Sequence, residues 1–80
     1  MRIDKFLKIS RLVKRRTVAK EMADQGRVSV NGKAVKSSYN VAIGDVIAVA
    51  YGPRVVKDRV LDIRETTKKA EASDLYELVD

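Results

Sequence analysis

The spacing of apolar residues predicts a helix at the start of the chain. Over residues 2–9 these residues recur near the helical period; they are Ile3, Phe6, Leu7 and Ile9. Leu12 and Val13 then either extend the helix or fold back onto it. A short amphipathic helix of this kind must bury its apolar face against other elements of the chain.

A second helix follows a short basic connector. Its apolar positions again have helical spacing; they are Val18, Ala19, Met22 and Ala23. Thr17 is the residue type preferred at an N-cap, and Gly26 is placed to end the helix in a left-handed conformation. We therefore expect this helix to begin after Thr17 and to end at Gly26.

After Gly26 the apolar period changes to two, which predicts strands. Val28 and Val30 alternate with a polar residue, and Asn31-Gly32 is the dipeptide best suited to a two-residue hairpin turn. The return strand is expected at residues 33–35. Beyond a turn at Gly44-Asp45, the apolar run 46–51 predicts a central strand buried on both faces.

The remaining third of the chain predicts one more strand and a helix. Gly52-Pro53 ends the central strand, and residues 55–63 have the charged interruptions of an edge strand. Residues 68–78 predict a short C-terminal helix, with Ala70, Leu75 and Leu78 packing on the sheet. The fold class is therefore α+β, with two short N-terminal helices on a small, mainly antiparallel sheet.

Composition restricts the chemistry available to this chain. Its 80 residues include no Cys and no His, which excludes a thiolate nucleophile, a Cys/His zinc site and a Ser/His/Asp triad. The small core leaves little room for a buried active site. We expect a binding protein with no enzymatic activity, cofactor or metal.

The net charge of +6 is concentrated in one third of the sequence. Residues 1–27 contain nine basic and three acidic side chains, whereas residues 28–80 contain eight of each. The longest apolar run has six residues, far below the roughly 20 that span a bilayer, and the first 16 residues do not contain the uninterrupted apolar stretch typical of a secretory signal. We expect a cytoplasmic protein with no membrane association and an anionic partner for its first 27 residues.

An ordered series of sequence motifs indicates which kind of anionic partner to expect. The string RIDKFL opens the chain, KRRTVAKEMADQG covers the connector and second helix, RVSVNG covers the hairpin, and GDVI opens the central strand. This series, over residues 2–51, resembles the RNA-binding domain of ribosomal protein S-four, also called the α-L motif. The resemblance implies an S-four-like RNA-binding domain at residues 1–65 and a C-terminal extension at 66–80.

Two further strings, LKISRLVKRRTVAKEMADQGRVSVNGK and TTKKAEA, are most similar to the RqcP family of bacterial ribosome quality control. That resemblance implies a monomer that binds the obstructed large ribosomal subunit, through its ribosomal RNA and its tRNA or peptidyl-tRNA. It also implies cooperation with an RqcH-type factor that adds an alanine tail to the stalled chain.

The motif of the family assigns RNA contact to Arg2 and Arg16. Further RNA contacts are inferred only from positive charge and proximity; they are Lys5, Lys8, Arg11, Lys14, Arg15 and Lys20. Many relatives have Ser or Thr before the arginine that matches Arg16, whereas this chain has Arg15. Asp4 is interpreted as a carboxylate that orients Arg2 or Lys8, or that stabilises the N-terminus of the first helix.

Alternative functions remain open at the level of sequence. The related heat-shock protein of about fifteen kilodaltons rescues large subunits by shifting the peptidyl-tRNA. The two helices could also form a DNA-binding helix-turn-helix, although Lys20 is the lone cation of the recognition helix between residues 17 and 25. A peptide that lies on an anionic membrane would need a free apolar helix face, which the sheet requires for packing.

Overall fold

The computed structural model describes residues 1–65 and 68–79. In these ranges the helices are α1 (Ile3–Ile9) and α2 (Arg16–Asp24), and a 3₁₀ helix occupies Lys69–Leu75. The strands are β1 (Val28–Val30), β2 (Lys33–Ala34), β3 (Val46–Tyr51), β4 (Arg54–Val60) and β5 (Tyr76–Val79). The strands form one antiparallel sheet in the order β2-β1-β3-β4-β5. The predicted α+β class is confirmed.

The core lies between the two helices and one face of the sheet. Fully buried side chains of α1 and α2 pack against alternate residues of β1 and β3 in a single cluster, which includes Phe6, Leu7, Ala19, Val28, Ile47 and Val49. Val13 is also buried, and its amide donates to the Leu7 carbonyl at 3.0 Å. After α1 the chain therefore folds back onto the helix instead of extending it.

The end of α2 follows from the glycine that the sequence places there. Gly26 has φ +79°, its amide bonds to the Ala23 carbonyl at 3.0 Å, and the Arg27 amide bonds to the Met22 carbonyl at 2.9 Å. These two bonds form a Schellman motif, in which the left-handed residue is usually glycine. The motif stops the helix and turns the chain directly into β1.

The start of α2 differs from the prediction. Arg15 holds the N-cap position with extended backbone, and Thr17 lies inside the helix. The reason is that the Ala19 amide bonds to the Arg15 carbonyl at 3.0 Å, which begins the helical bonding before Thr17. No side chain caps this end, so the predicted capping role of Thr17 was wrong.

The Asn31-Gly32 turn was predicted correctly. Both residues have positive φ, at 51° and 87°, as a type I′ hairpin turn requires. The Asn31 side chain also accepts the Val46 amide at 3.0 Å and donates to Asp45 at 3.2 Å. This turn therefore joins the β1-β2 hairpin to the start of β3.

Strand β3 is central, as predicted, but it is not buried on both faces. Ile47 and Val49 are fully buried beneath the helices, whereas Val46, Ala48 and Ala50 on the opposite face are only half-buried. The cause is that both helices pack on the same side of the sheet. The predicted burial on both faces was wrong.

The last two elements also differ from the prediction. Strand β4 is not an edge, because β5 pairs with it from Lys57 to Val60. The C-terminal helix is confined to Lys69–Leu75, and it buries Leu75 completely. Leu78, expected to pack from a helix, is instead 73% exposed on β5.

One polar group inside the sheet lacks a partner. Asp58 of β4 is 1% exposed and lies opposite Ile47 of β3 on the face that carries the core. Within the described residues neither of its carboxylate oxygens has a hydrogen-bond partner. Burial raises the pKa of the Asp58 carboxyl, because desolvation disfavours its charged form.

Candidate nucleic-acid interface

A buried carboxylate in the first turn of α1 holds the two arginines that the motif selects. Asp4 is 2% exposed, and its two oxygens lie 3.2 Å from Arg2 Nη2 and 3.3 Å from Arg16 Nη2. The same carboxylate accepts the Lys5 amide at 2.7 Å. Asp4 therefore orients Arg2, as predicted, but its second partner is Arg16 and not Lys8. We call Asp4, Arg2 and Arg16 the arginine clamp.

The positions of these residues follow from backbone contacts at the N-terminus. Arg2 is the N-cap of α1 and forms an isolated antiparallel bridge with Asn40. The Ile3 amide donates to the Tyr39 carbonyl at 2.7 Å, and the Val41 amide donates to the Met1 carbonyl at 2.9 Å. These bonds hold the first residues against the loop that precedes β3.

The arginine clamp leaves guanidinium surface available to a ligand. The side chains of Arg2 and Arg16 are 46% and 48% exposed, whereas that of Asp4 is 3% exposed. An arginine has five N–H donors in a planar fork, so a single bond to Asp4 leaves donors for a phosphate oxygen. The clamp thus fixes two cationic forks beside each other at the surface.

Lys5 lies next to the clamp, but its side chain pairs with a different carboxylate, that of Glu65. Its Nζ is 2.5 Å from Glu65 Oε2, and the hydrogen bond from Lys5 lowers the pKa of the Glu65 carboxyl. Glu65 is 82% exposed, so solvent weakens this pair strongly. An RNA phosphate would therefore compete with Glu65 for Lys5.

The other predicted cations form a separate group, which we call the unpaired cations: Lys8, Arg11, Lys14, Arg15 and Lys20. In residues 1–65 and 68–79, none of them is within ion-pair distance of a carboxylate. Lys8, Arg11 and Lys14 line one pocket of about 300 Å³, while Lys14 and Arg15 line a second one. Lys20 is exposed on α2 and lines neither of these two pockets.

Arg11 occupies an unusual backbone conformation at the end of α1. Its φ is +63°, and its amide donates to the Lys8 carbonyl at 3.1 Å. This is the left-handed position after a helix that glycine usually holds, as Gly26 does after α2. The sequence does not show this feature, since no glycine marks the end of α1.

The packing of α2 bears on the alternative functions. Ala19, Met22 and Ala23 are buried against the core, so the face of α2 that carries them is not free to enter the major groove of DNA. The apolar face of α1 is likewise buried, through Ile3, Phe6 and Leu7. In the described residues no helix has the length and apolar character needed to cross a membrane.

Comparison with known proteins identifies the family. The S4 domain model matches residues 1–47. The RQC P-site tRNA stabilizing factor of Bacillus subtilis is 52% identical over 79 residues, which are 99% of this chain and 92% of that protein. The chain belongs to the S4-domain family of RQC P-site tRNA stabilizing factors. The factor of the same name from Helicobacter pylori J99 is 41% identical over 95% of this chain and 89% of its own.

This chain shares its fold with heat shock protein 15, a more distant relative. The heat shock protein 15 homolog of Aeromonas salmonicida is 33% identical over 94% of this chain and 57% of its own. The trimeric structure of Vibrio cholerae heat shock protein 15 superposes with a TM-score of 0.91 at 31% identity, covering 99% of this chain and 81% of that one. The solution structure of HP1423 gives 0.85 at 33% identity, covering 100% and 98%.

Proposed function

We propose that this protein is a non-catalytic RNA-binding factor of ribosome-associated quality control. It binds the obstructed large ribosomal subunit through ribosomal RNA and peptidyl-tRNA, and it supports alanine tailing of the stalled chain by an RqcH-type partner. It acts in the cytoplasm as a monomer. The observation that carries the proposal is the arginine clamp, which lies inside the matched S4 domain and presents two oriented guanidinium groups.

The clamp suits a phosphate backbone for electrostatic reasons. Two guanidinium forks at fixed separation can each donate charge-assisted hydrogen bonds to phosphate oxygens. Because Asp4 already restrains both side chains, less conformational entropy is lost on binding. The unpaired cations add charge without a local carboxylate to displace, and phosphate contacts of this kind release counterions.

Sequence similarity favours the tailing function over the heat-shock alternative. The chain is 52% identical to the Bacillus subtilis stabilizing factor but 33% identical to the Aeromonas salmonicida heat shock protein 15 homolog. The name of the first group refers to stabilising a P-site tRNA, which is compatible with tailing on a tRNA held in place. We therefore favour stabilisation of peptidyl-tRNA over its displacement.

Co-sedimentation with large subunits that carry peptidyl-tRNA tests the proposed binding. We expect Arg2→Ala and Arg16→Ala each to weaken association by ~1–3 kcal/mol, the scale of a charge-assisted contact. The matched control is Arg54→Ala, which removes the same charge from an exposed position at the start of β4. Equal loss in all three variants would show that net charge, and not the clamp, determines binding.

A reconstituted tailing reaction tests the finer part of the proposal. Large subunits with peptidyl-tRNA, an RqcH-type factor and alanyl-tRNA are incubated with and without this protein, and tail length is measured. We expect longer tails with the parent protein than with Arg16→Ala. Efficient subunit binding without any change in tail length would overturn the tailing role and leave the RNA-binding role standing.

A further inference from the structure

An apolar groove lies beside the unpaired cations and has no role in the arginine clamp. It has a volume of about 510 Å³, and its apolar lining includes Leu12, Val18, Met22 and Tyr51. Lys14 and Arg15 also line it. Val18 is 40% exposed, so this part of α2 presents an apolar surface to solvent.

The groove is a neighbour of the cationic pocket described above. Val13 and Lys14 line both cavities. Beyond them the lining changes to Lys8 and Arg11. We refer to the two neighbouring cavities together as a track, which is cationic in one cavity and apolar with a cationic border in the other.

The Tyr51 ring is held in place at the apolar end. Its hydroxyl donates to the Leu12 carbonyl at 2.7 Å. Burial, followed by the negative charge of Asp58, raises the pKa of the Tyr51 hydroxyl, so the group keeps the proton that it donates. An aromatic ring that is fixed before binding can receive a flat ligand at low entropic cost.

We propose that this groove receives the base of an unpaired RNA nucleotide, while the neighbouring phosphates bind Lys14, Arg15 and the cationic pocket. The inference rests on the proposed RNA-binding function, and it states which class of nucleotide, an unpaired one, the groove would bind. Single-stranded and bulged nucleotides can insert bases against aromatic and apolar side chains, because they are not held in a stacked helix.

The cations that line the groove and the neighbouring pocket favour RNA over an acidic peptide as the occupant. Lys8, Arg11, Lys14 and Arg15 lie within eight residues of sequence, and none of them has a carboxylate partner in the described part of the chain. A polyanion with a charge on every nucleotide matches these neighbouring cations. A base between two phosphates also presents an apolar face with anionic flanks, which complements an apolar groove bordered by Lys14 and Arg15.

Two RNA hairpins test the proposal with the full-length protein. They have the same stem, but one contains a single unpaired 2-aminopurine, whose fluorescence reports stacking. We expect the parent protein to bind the bulged hairpin about tenfold more tightly, a preference on the scale of stacking one base. The fluorescence of the 2-aminopurine should change on binding.

Val18→Glu places a charge at the groove, and Val55→Glu is its matched control on β4. Both valines are exposed, at 40% and 58%, and both changes alter the net charge equally. We expect Val18→Glu to lose the preference for the bulged hairpin and Val55→Glu to keep it, with circular dichroism showing that both variants are folded.

The outcomes separate this inference from the proposed function. Equal affinity of the parent for the two hairpins would overturn base insertion while leaving RNA binding intact. A Val18→Glu variant that keeps the preference would also overturn it, which is the result expected if the groove serves a protein partner. A parent that binds neither hairpin would overturn both proposals.

Discussion

Asp4 Oδ1 lies 3.3 Å from Arg16 Nη2 and so connects the first turn of α1 to the first residue of α2. The two residues are twelve positions apart, and the contact exists because the helices pack against each other through Phe6, Leu7 and Ala19. The other oxygen of Asp4 holds Arg2. A single buried acid therefore sets the positions of two surface cations.

This relationship predicts an unusual effect for Asp4→Asn. The substitution raises the net charge by one, so electrostatic attraction alone would strengthen RNA binding. We expect binding to weaken severalfold instead, because an amide cannot hold both guanidinium groups as the carboxylate does. We also expect the free energy of unfolding to fall by about 1–3 kcal/mol, since charge-assisted hydrogen bonds are lost.

The matched control for Asp4→Asn is Glu21→Gln. Glu21 is exposed on α2, and the change alters the net charge by the same amount. We expect its RNA affinity, measured by fluorescence anisotropy at fixed salt, to stay equal to that of the parent or to rise slightly. If both variants bound more tightly, Asp4 would not act by positioning the arginines.

Salt dependence provides a count of the phosphates that the protein neutralises, and a single substitution reports the share of one cation. The logarithm of the RNA association constant should fall linearly with the logarithm of salt concentration. We expect Lys14→Ala to reduce the magnitude of that slope by about 0.7–0.9, the change for one lost phosphate contact. Lys57→Ala, on the sheet face away from the helices, should leave the slope unchanged. Identical slopes for both variants would exclude Lys14 as a phosphate contact.

The left-handed backbone of Arg11 predicts opposite changes in stability and binding. Arg11→Gly should raise the free energy of unfolding by about 1 kcal/mol, because glycine accepts a φ of +63° without steric cost. RNA affinity should fall, since a cation of the track is removed. Arg11→Ala keeps the steric cost and should lose affinity to the same extent without gaining stability. Urea unfolding and RNA titration of both variants check the prediction.

The family motif predicts Arg2 and Arg16 as RNA contacts, but the sequence does not predict how the two side chains are arranged. Asp4 was expected to orient Arg2 or Lys8, and its contact with Arg2 agrees with one of these two alternatives. The Asp4 contact with Arg16 depends on how α1 packs on α2, which periodicity alone does not define. The apolar groove likewise depends on Tyr51 meeting Leu12 across 39 positions of sequence.

The same distinction between local and long-range contacts explains which parts of the fold were predicted from the sequence. The Asn31-Gly32 turn and the end of α2 at Gly26 were predicted because specific residues favour a positive φ there. Strand β5 was missed, because Tyr76–Val79 is a four-residue strand and its pairing with β4 supplies the backbone hydrogen bonds. Such pairing is tertiary and outweighs the helical spacing of the preceding residues.

Asp58 predicts a pH dependence of stability. Its folded-state pKa is raised by burial, so the native state retains a proton that the unfolded state loses as pH rises. The ionised carboxylate therefore reduces stability above the raised pKa, and the cost disappears below the ordinary pKa of an aspartate. We expect Asp58→Asn to have a higher Tm than the parent at pH 8, with the difference shrinking toward zero at acidic pH.

Asp74→Asn, an exposed control with the same change in charge, should show a small difference that does not follow this trend. A constant Tm difference between Asp58→Asn and the parent across the pH series would contradict the assignment of a buried, destabilising charge to Asp58.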